Sequence, residues 1–471
     1  MTRRSLLDMD PEEFRAIGHQ LVDRIANFYT TLPAGKVTPG ESPAEVRSIL
    51  GDAPLPERPE SNEAIVQQAW NLLANHSLHN GHPLFAGYVT SSAAPIGALA
   101  DLMAAAVNPN VGAWILGPIG TEIEAQSIKW IADFLGYPAD CGGILVSGGN
   151  MANFIGFLAA RTQACKAIRA EGAQAANLVA YASSETHTWV QKAADLFGLG
   201  TNAIRWIPAG RDQRMDPVAL QTQIKSDRAA GFQPFLIVAS AGTVSTGAID
   251  PIAKLSAIAH SENLWLHIDG AYGAPAAALP DAGPDLKSLH LADSLAVDPH
   301  KWFYTPLEAG CALVKNPQRL PGTFDYSPAY YRFDGPLNYY QHGPQNSRGF
   351  RALKVWMGLR AAGRQGLIKT IAEDIALARQ LFEEIKKYSD LEALTTSLSI
   401  TTFRYNPAGA TDVNDLNQRL LDRIQKSGEL FLSNAVIDGK FALRACIVNF
   451  RTQPKDIAAI PAIVLRLAES L

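Results

Sequence analysis

A chain of 471 residues with 47% hydrophobic side chains carries enough apolar mass for a large core, and its length predicts two or three domains. A formal net charge of −4, with no long run of one sign, offers no basic surface of the kind nucleic acid requires, so small metabolites are the expected partners. The first eight residues are charged and lack an apolar segment, so no secretory signal is read there; the long uncharged stretch 102–121 holds two prolines and three glycines, a poor membrane span.

Residues 9–32 place Phe14, Ile17, Leu21, Ile25 and Phe28 on one helical face, and Pro33-Ala34-Gly35 ends that helix. Residues 37–59, rich in Pro, Gly and Glu, are expected to wrap a surface with little core of their own. His76, His79 and His82 lie three apart and invite a metal reading, but Pro83 breaks the helix and no fourth ligand follows; no metal is expected, and the three are assigned to the pocket entry or to solvent. From residue 85 to 356 short apolar runs alternate with helical stretches, which predicts an α/β fold with a mostly parallel central sheet and helices on both faces. Strands are expected at 144–146, 178–181, 235–239 and 264–268. The stretch 320–345, rich in Pro, Gly, Tyr and Asp, reads as a mobile loop. A long helix follows from Leu367, then strands at 398–403 and 441–444 and a last helix from Pro454. The expected division is an N-terminal helical arm (1–81), a large domain (82–360) and a small C-terminal α/β domain (361–471), the last without a visible catalytic constellation. Cys141, Cys165, Cys311 and Cys446 lack paired spacing and read as reduced core residues, which places the protein in the cytoplasm.

Two stretches carry chemistry. In Ala296-Val297-Asp298-Pro299-His300-Lys301-Trp302-Phe303 apolar residues flank one lysine and Pro299 stops a helix from running through. A lysine held there loses hydration, which favours the neutral amine, the form nucleophilic toward a carbonyl. Upstream, the strand at 264–268 ends in Asp269, followed by Gly270 and Ala271, small enough to admit a flat ring. A carboxylate in that position suits a protonated pyridine nitrogen, and lysine plus aspartate are the two groups that pyridoxal phosphate (PLP) chemistry requires. Ser147-Gly148-Gly149-Asn150, between a strand and a helix, has the form of a phosphate cradle: glycines let N–H groups approach an anion, and the helix start adds its dipole. It is neither a P-loop nor a dinucleotide fingerprint, and alone it reads equally as a tight turn before a core helix.

His267-Ile268-Asp269-Gly270-Ala271-Tyr272 and Asp298-Pro299-His300-Lys301-Trp302 resemble the PLP-dependent group II amino acid decarboxylases, the family of aromatic L-amino-acid decarboxylases. The resemblance runs from Glu13-Phe14-Arg15 to Leu443-Arg444. It implies the aspartate-aminotransferase-like fold type I, no metal, and a homodimer whose active site is shared between subunits, with the N-terminal arm packed on the partner. It also implies that Lys301 attaches PLP, that Asp269 faces the pyridine nitrogen, and that His187, in Ser184-Glu185-Thr186-His187-Thr188, stacks on the ring and moves protons. Gly149, Asn150, Ser240, Ala271, His300 and Asp298 complete the implied cofactor site. A strand-end hydroxyl bonding to backbone is the other reading of Ser240. Asp298 stands where several members carry Asn, which puts an acid beside the expected phosphate. Tyr330, in Phe324-Asp325-Tyr326-Ser327-Pro328-Ala329-Tyr330, matches the lid tyrosine and is expected to protonate the substrate Cα; aromatic packing is the other reading of Tyr326, Tyr330 and Tyr331. Tyr88 and Ser91 match a side-chain aromatic and a hydroxyl near the substrate carboxylate. Asn80 and Gly112 replace large aromatics of animal members, and Ser347 falls where plant members with phenolic substrates tend to carry serine. The expected activity is decarboxylation of an aromatic L-amino acid, a phenol such as tyrosine ahead of tryptophan. An aminotransferase or aldehyde synthase on the same fold, or a PLP-binding scaffold without turnover, are the alternatives.

Overall fold

Aliphatic runs bounded by glycines and polar turns fold into seven strands of one sheet: β1 (Gly142–Val146), β2 (Leu178–Ser183), β3 (Ile204–Ile207), β4 (Gln233–Ser240), β5 (Trp265–Asp269), β6 (Ser294–Val297) and β7 (Gly310–Val314). The computed structural model describes residues 5, 7–328, 331 and 335–469, so Tyr330 lies outside the described residues. The strand order is β1-β7-β6-β5-β4-β2-β3, and β7 alone runs antiparallel to its neighbours. Alternate residues serve opposite faces. Ala180, Ala182, Leu236 and Val238 pack under the helix Gly149–Ala164, whereas Val179, Tyr181, Ile237 and Ala239 join the core that contains Ile128, Ile131 and Ile258. Cover on both faces explains why these strands read as continuous apolar runs rather than alternating ones.

The helix Ala352–Ile385 leads away from this sheet, broken at Gly363, whose φ of 63° and ψ of 169° interrupt the helical run. It packs on a second, antiparallel sheet of β8 (Leu391–Ser397), β9 (Ile400–Tyr405), β10 (Ser433–Ile437) and β11 (Lys440–Cys446), ordered β10-β11-β9-β8. Leu398, expected in a strand, sits at the hairpin turn with φ 48°. Beside it, Ser399 joins the two sheets: its Oγ lies 2.6 Å and its backbone N 2.9 Å from the Tyr272 hydroxyl, just past β5.

The amino-terminal helix spans Pro11–Thr31, as its apolar spacing predicts, and buries none of its residues within this chain. Within the stretch 37–59, expected to have little core of its own, a helix Pro43–Leu50 forms, started by a capping box between Ser42 and Glu45, and it buries none of its residues. The three histidines are neither at the pocket entry nor free in solvent. His76 Nδ1 lies 2.7 Å from Glu41 Oε1, the His79 ring packs 5.3 Å from Phe28, and buried His82 accepts the Leu84 N–H through Nδ1. Among the described residues no helix is long and apolar enough to cross a membrane, and the four cysteines are free thiols.

Candidate active site

The carboxyl ends of β1, β4, β5 and β6 and the turn after β2 converge on a cavity of about 460 Å³, the usual place for ligands in such sheets. Lys301, Asp269, His187, Gly149, Asn150, Ser240, Ala271, His300, Asp298 and Tyr88 all wall it. Asn80, Ser91, Gly112 and Ser347 do not. The Ser91 hydroxyl is committed to the His300 carbonyl at 2.8 Å. Gly112 lies against the Asn346 backbone, where a Cβ would come within 2.0 Å of the carbonyl oxygen, so no side chain fits there. Buried Arg348, paired with Glu124 at 2.5 Å and accepted by the Val111 carbonyl, ties the two segments together and leaves neighbouring Ser347 exposed.

Lys301 is presented by a tight turn in which its own N–H bonds to the Asp298 carbonyl (2.9 Å) and the Tyr304 N–H to the Lys301 carbonyl (3.0 Å). The next residues, Trp302, Phe303 and Tyr304, are buried anchors, so the lysine projects from a fixed base. Its Nζ lies 3.0 Å from Asp298 Oδ2, which also faces His300 Nε2 at 3.6 Å. The acid that seemed out of place beside a phosphate is therefore engaged by the lysine, while its buried Oδ1 has no hydrogen-bond partner among the described residues.

Behind the lysine, Trp302 Nε1 (2.9 Å) and the Tyr304 hydroxyl (2.7 Å) both donate to Asp374 Oδ2 on the long helix. Burial pushes the Asp374 carboxyl from its ordinary 3.8 up to about 7, against the pull of those two donors. Between these values the folded chain holds a proton that the unfolded chain has lost, so this group costs the fold stability as pH rises from 3.8 through about 7. Asp374→Asn keeps an acceptor without the charge. Its melting temperature minus that of wild type is expected to grow between about pH 5 and about pH 8, and a pH-independent difference in thermal melts would remove Asp374 as the cause.

Asp269, the last residue of β5, receives two N–H groups: Trp189 Nε1 at 2.7 Å on Oδ2 and the Ala271 backbone at 3.2 Å on Oδ1. His187 accepts the Trp189 backbone N–H at Nδ1 (3.2 Å), which leaves the proton of the neutral ring on Nε2. Burial lowers the His187 pKa below the usual histidine value, with Asp269 pulling it up and Lys301 pushing it down. The ring is thus neutral near pH 7.

The glycine turn after β1 is tightly packed and lies at the cavity wall. Gly148 takes φ 114°, and a Cβ at Gly149 would lie 2.6 Å from Asp298 Oδ2. No side chain caps the helix Gly149–Ala164, so the N–H groups of its first turn, which have no helical carbonyl, stand at the cavity wall.

One wall residue was missed by sequence reasoning. Arg444 of β11 is 3% exposed, and its Nε and Nη2 have no hydrogen-bond partner among the described residues. Arg444 lines the cavity as a buried guanidinium with two enclosed, unpaired nitrogens, which makes it a candidate partner for an anion. The available signal was one charge in the otherwise apolar run Phe441-Ala442-Leu443-Arg444-Ala445-Cys446.

A primary amine, a carboxylate held as an acceptor and a backbone cradle that a Cβ would fill match the aldehyde, ring nitrogen and phosphate of PLP. On a mostly parallel sheet, they define a PLP-dependent enzyme of fold type I. Residues 43–406 match the pyridoxal-dependent decarboxylase conserved domain, and the chain belongs to that family. It is 33% identical over 474 residues to the aromatic-L-amino-acid decarboxylase of Bacillus atrophaeus, covering 99% of this chain and 97% of that protein. It is 29% identical to a phenylacetaldehyde synthase of Arabidopsis thaliana, covering 96% and 95%. The crystal structure of Oryza sativa TDC with PLP and tryptamine matches with a TM-score of 0.92 at 25% identity, over 100% of this chain and 99% of that one. The protein is accordingly a PLP-dependent carboxy-lyase of amino acids.

Proposed function

We propose that this cavity converts an aromatic L-amino acid to its amine and CO2, with Lys301 as the covalent anchor of the cofactor. One observation carries the reading: the Lys301 amine, the Asp269 carboxylate and buried Arg444, whose Nε and Nη2 have no hydrogen-bond partner among the described residues, line the same cavity. PLP supplies an aldehyde carbon that takes up an amine and a ring that accepts electron density from Cα. Around it, Asp269 serves the ring nitrogen, the first-turn N–H groups at Gly149 and Asn150 serve the phosphate, and neutral His187 offers a flat ring and an Nε2 proton. Ser240, Ala271, His300 and Asp298 shape the same wall. Arg444 takes the substrate carboxylate and fixes its direction, on which the choice of broken bond depends. Tyr88, at the wall and half-exposed, suits an aromatic side chain. The aromatic class is supported by the relatives' names, and Ser347 favours a phenol over an indole.

The residue ranges 1–81, 82–360 and 361–471 serve as arm, cofactor domain and small domain in this reading, and the active unit is a homodimer. Exposed Leu99, Leu102, Met103 and Val107 on the helix Pro95–Val107, with Ile115 and Ile119 nearby, form an apolar face suited to a second copy. Asn80, Gly112 and Ser347, absent from this chain's cavity, then belong to the pocket shared with the partner. A monomer mass in sedimentation at working concentration would remove the dimer and that sharing. Free cysteines suit a cytoplasmic location.

The function is tested by giving the purified protein PLP and a pool of L-amino acids including dihydroxyphenylalanine. An amine lacking the carboxyl group is expected by mass spectrometry. Borohydride reduction is expected to leave the cofactor's mass on the peptide that contains Lys301, and Lys301→Ala to lose both mass and turnover. A keto acid, or an aldehyde with peroxide, overturns the decarboxylase assignment.

A further inference from the structure

Two of the groups that line the cavity are bonded by one buried residue that lines no part of it. Trp189 opens the helix Trp189–Leu196 and is fully buried. Its backbone N–H donates to His187 Nδ1 at 3.2 Å and its indole N–H to Asp269 Oδ2 at 2.7 Å. The indole is held on its other sides by edge-on rings, Phe157 at 6.5 Å and His267 at 5.5 Å between centroids.

His267 is itself fixed, and its proton order can be read from its partners. The Asn153 Oδ1 only accepts, so Nε2 carries the hydrogen at 2.7 Å; Nδ1 then accepts from the Ser294 hydroxyl at 2.7 Å, whose oxygen receives Trp265 Nε1–H at 2.8 Å. Gly156 makes room for the ring, since a Cβ there would lie 2.5 Å from His267 Nδ1. Burial pushes His267 down to about 4, so this support stays neutral across the working range. The indole is therefore backed by a saturated, uncharged chain of hydrogen bonds and has one direction in which to donate.

We propose that Trp189 is a positioning residue for the cofactor. Its indole N–H aims the Asp269 carboxylate at the ring nitrogen, and its backbone N–H keeps the His187 proton on Nε2. The inference rests on the assignment of Asp269 as the ring-nitrogen partner. A Trp fits the task where Phe would not, because the same burial that packs the ring also demands a partner for the indole N–H.

The test uses the full chain stripped of cofactor and titrated with PLP, following the absorption of the bound cofactor. Three variants are compared with wild type: Trp189→Phe, Asp269→Asn, and a chain carrying at position 189 benzothienylalanine, the indole isostere with sulfur in place of the N–H. Both changes at 189 are expected to weaken PLP binding about tenfold to a hundredfold, the weight of one hydrogen bond to a charged acceptor, and to alter the bound cofactor's absorption. The isostere preserves shape, so it separates packing from donation even where Trp189→Phe fails to fold. Wild-type affinity and spectrum in the isostere, with Asp269→Asn impaired, overturn the role of Trp189 and leave the Asp269 assignment standing. Wild-type behaviour in Asp269→Asn overturns that assignment and the inference together.

Discussion

Arg444→Met is expected to raise KM for the amino acid by about 30-fold to a few thousandfold, with PLP binding retained and kcat changed less. The magnitude is that of removing one partner from a desolvated, hydrogen-bonded charge pair, about 2–5 kcal/mol at about 1.4 kcal/mol per tenfold. Arg444 meets the conditions: it is almost wholly buried, it walls the cavity, and Nε and Nη2 have no partner among the described residues. Its near neighbours, Tyr272 and Cys446, both have pKa values raised chiefly by burial, with Arg444 acting to lower them, so neither is an ionised counter-charge near neutral pH. Arg444→Lys retains the charge and loses the planar fork, so a partial recovery of KM is expected. The product amine has no carboxylate, and its inhibition constant is expected to stay near wild type in both variants. Steady-state kinetics with product inhibition check this. An unchanged KM, or equal losses for amino acid and amine, would make Arg444 a structural residue.

The contrast between Lys301 and Arg444 shows which parts of the site the sequence discloses. Lys301 and Asp269 stand at the carboxyl ends of short apolar runs, and a parallel sheet gathers such ends into one cleft whatever the loops do. The Gly148-Gly149 turn was ambiguous in isolation; the structure adds that it stands at the cavity wall and that no side chain caps the helix that follows. Arg444 belongs to the other sheet, and no local pattern announces that the long helix and the Tyr272–Ser399 contact carry β11 to the cavity edge. Trp189, two residues after His187, drew no reading from the sequence, because its side-chain bond is to Asp269, 80 residues away in the chain. Gly112 read as a replacement for a large aromatic; the Asn346 backbone stands where its side chain would begin. The histidines at 76, 79 and 82 obeyed a helix spacing that the chain abandons at Asn75, where the helix Asn62–Asn75 ends.

Tyr330→Phe is expected to redirect the product rather than merely slow the enzyme. After CO2 leaves, Cα holds an electron pair and must receive a proton to become the amine. The resemblance gives that task to the phenolic hydroxyl of Tyr330, which phenylalanine lacks while keeping nearly the same shape. Loss of a positioned general acid lowers its step by about 100- to 10,000-fold. Amine formation is expected to fall by that order while the carbon is left open to O2. One O2 and one water then yield aldehyde, ammonia and hydrogen peroxide alongside CO2, so oxygen uptake and peroxide should appear in step with aldehyde. His187, neutral with its proton on Nε2, sets a floor on the effect: if it donates directly to Cα, amine formation survives in Tyr330→Phe and is lost in His187→Asn. An oxygen electrode with product mass spectrometry distinguishes the cases. Amine at the wild-type rate with no oxygen uptake in Tyr330→Phe would take the tyrosine out of the mechanism and leave His187 as the group that decides between amine and aldehyde.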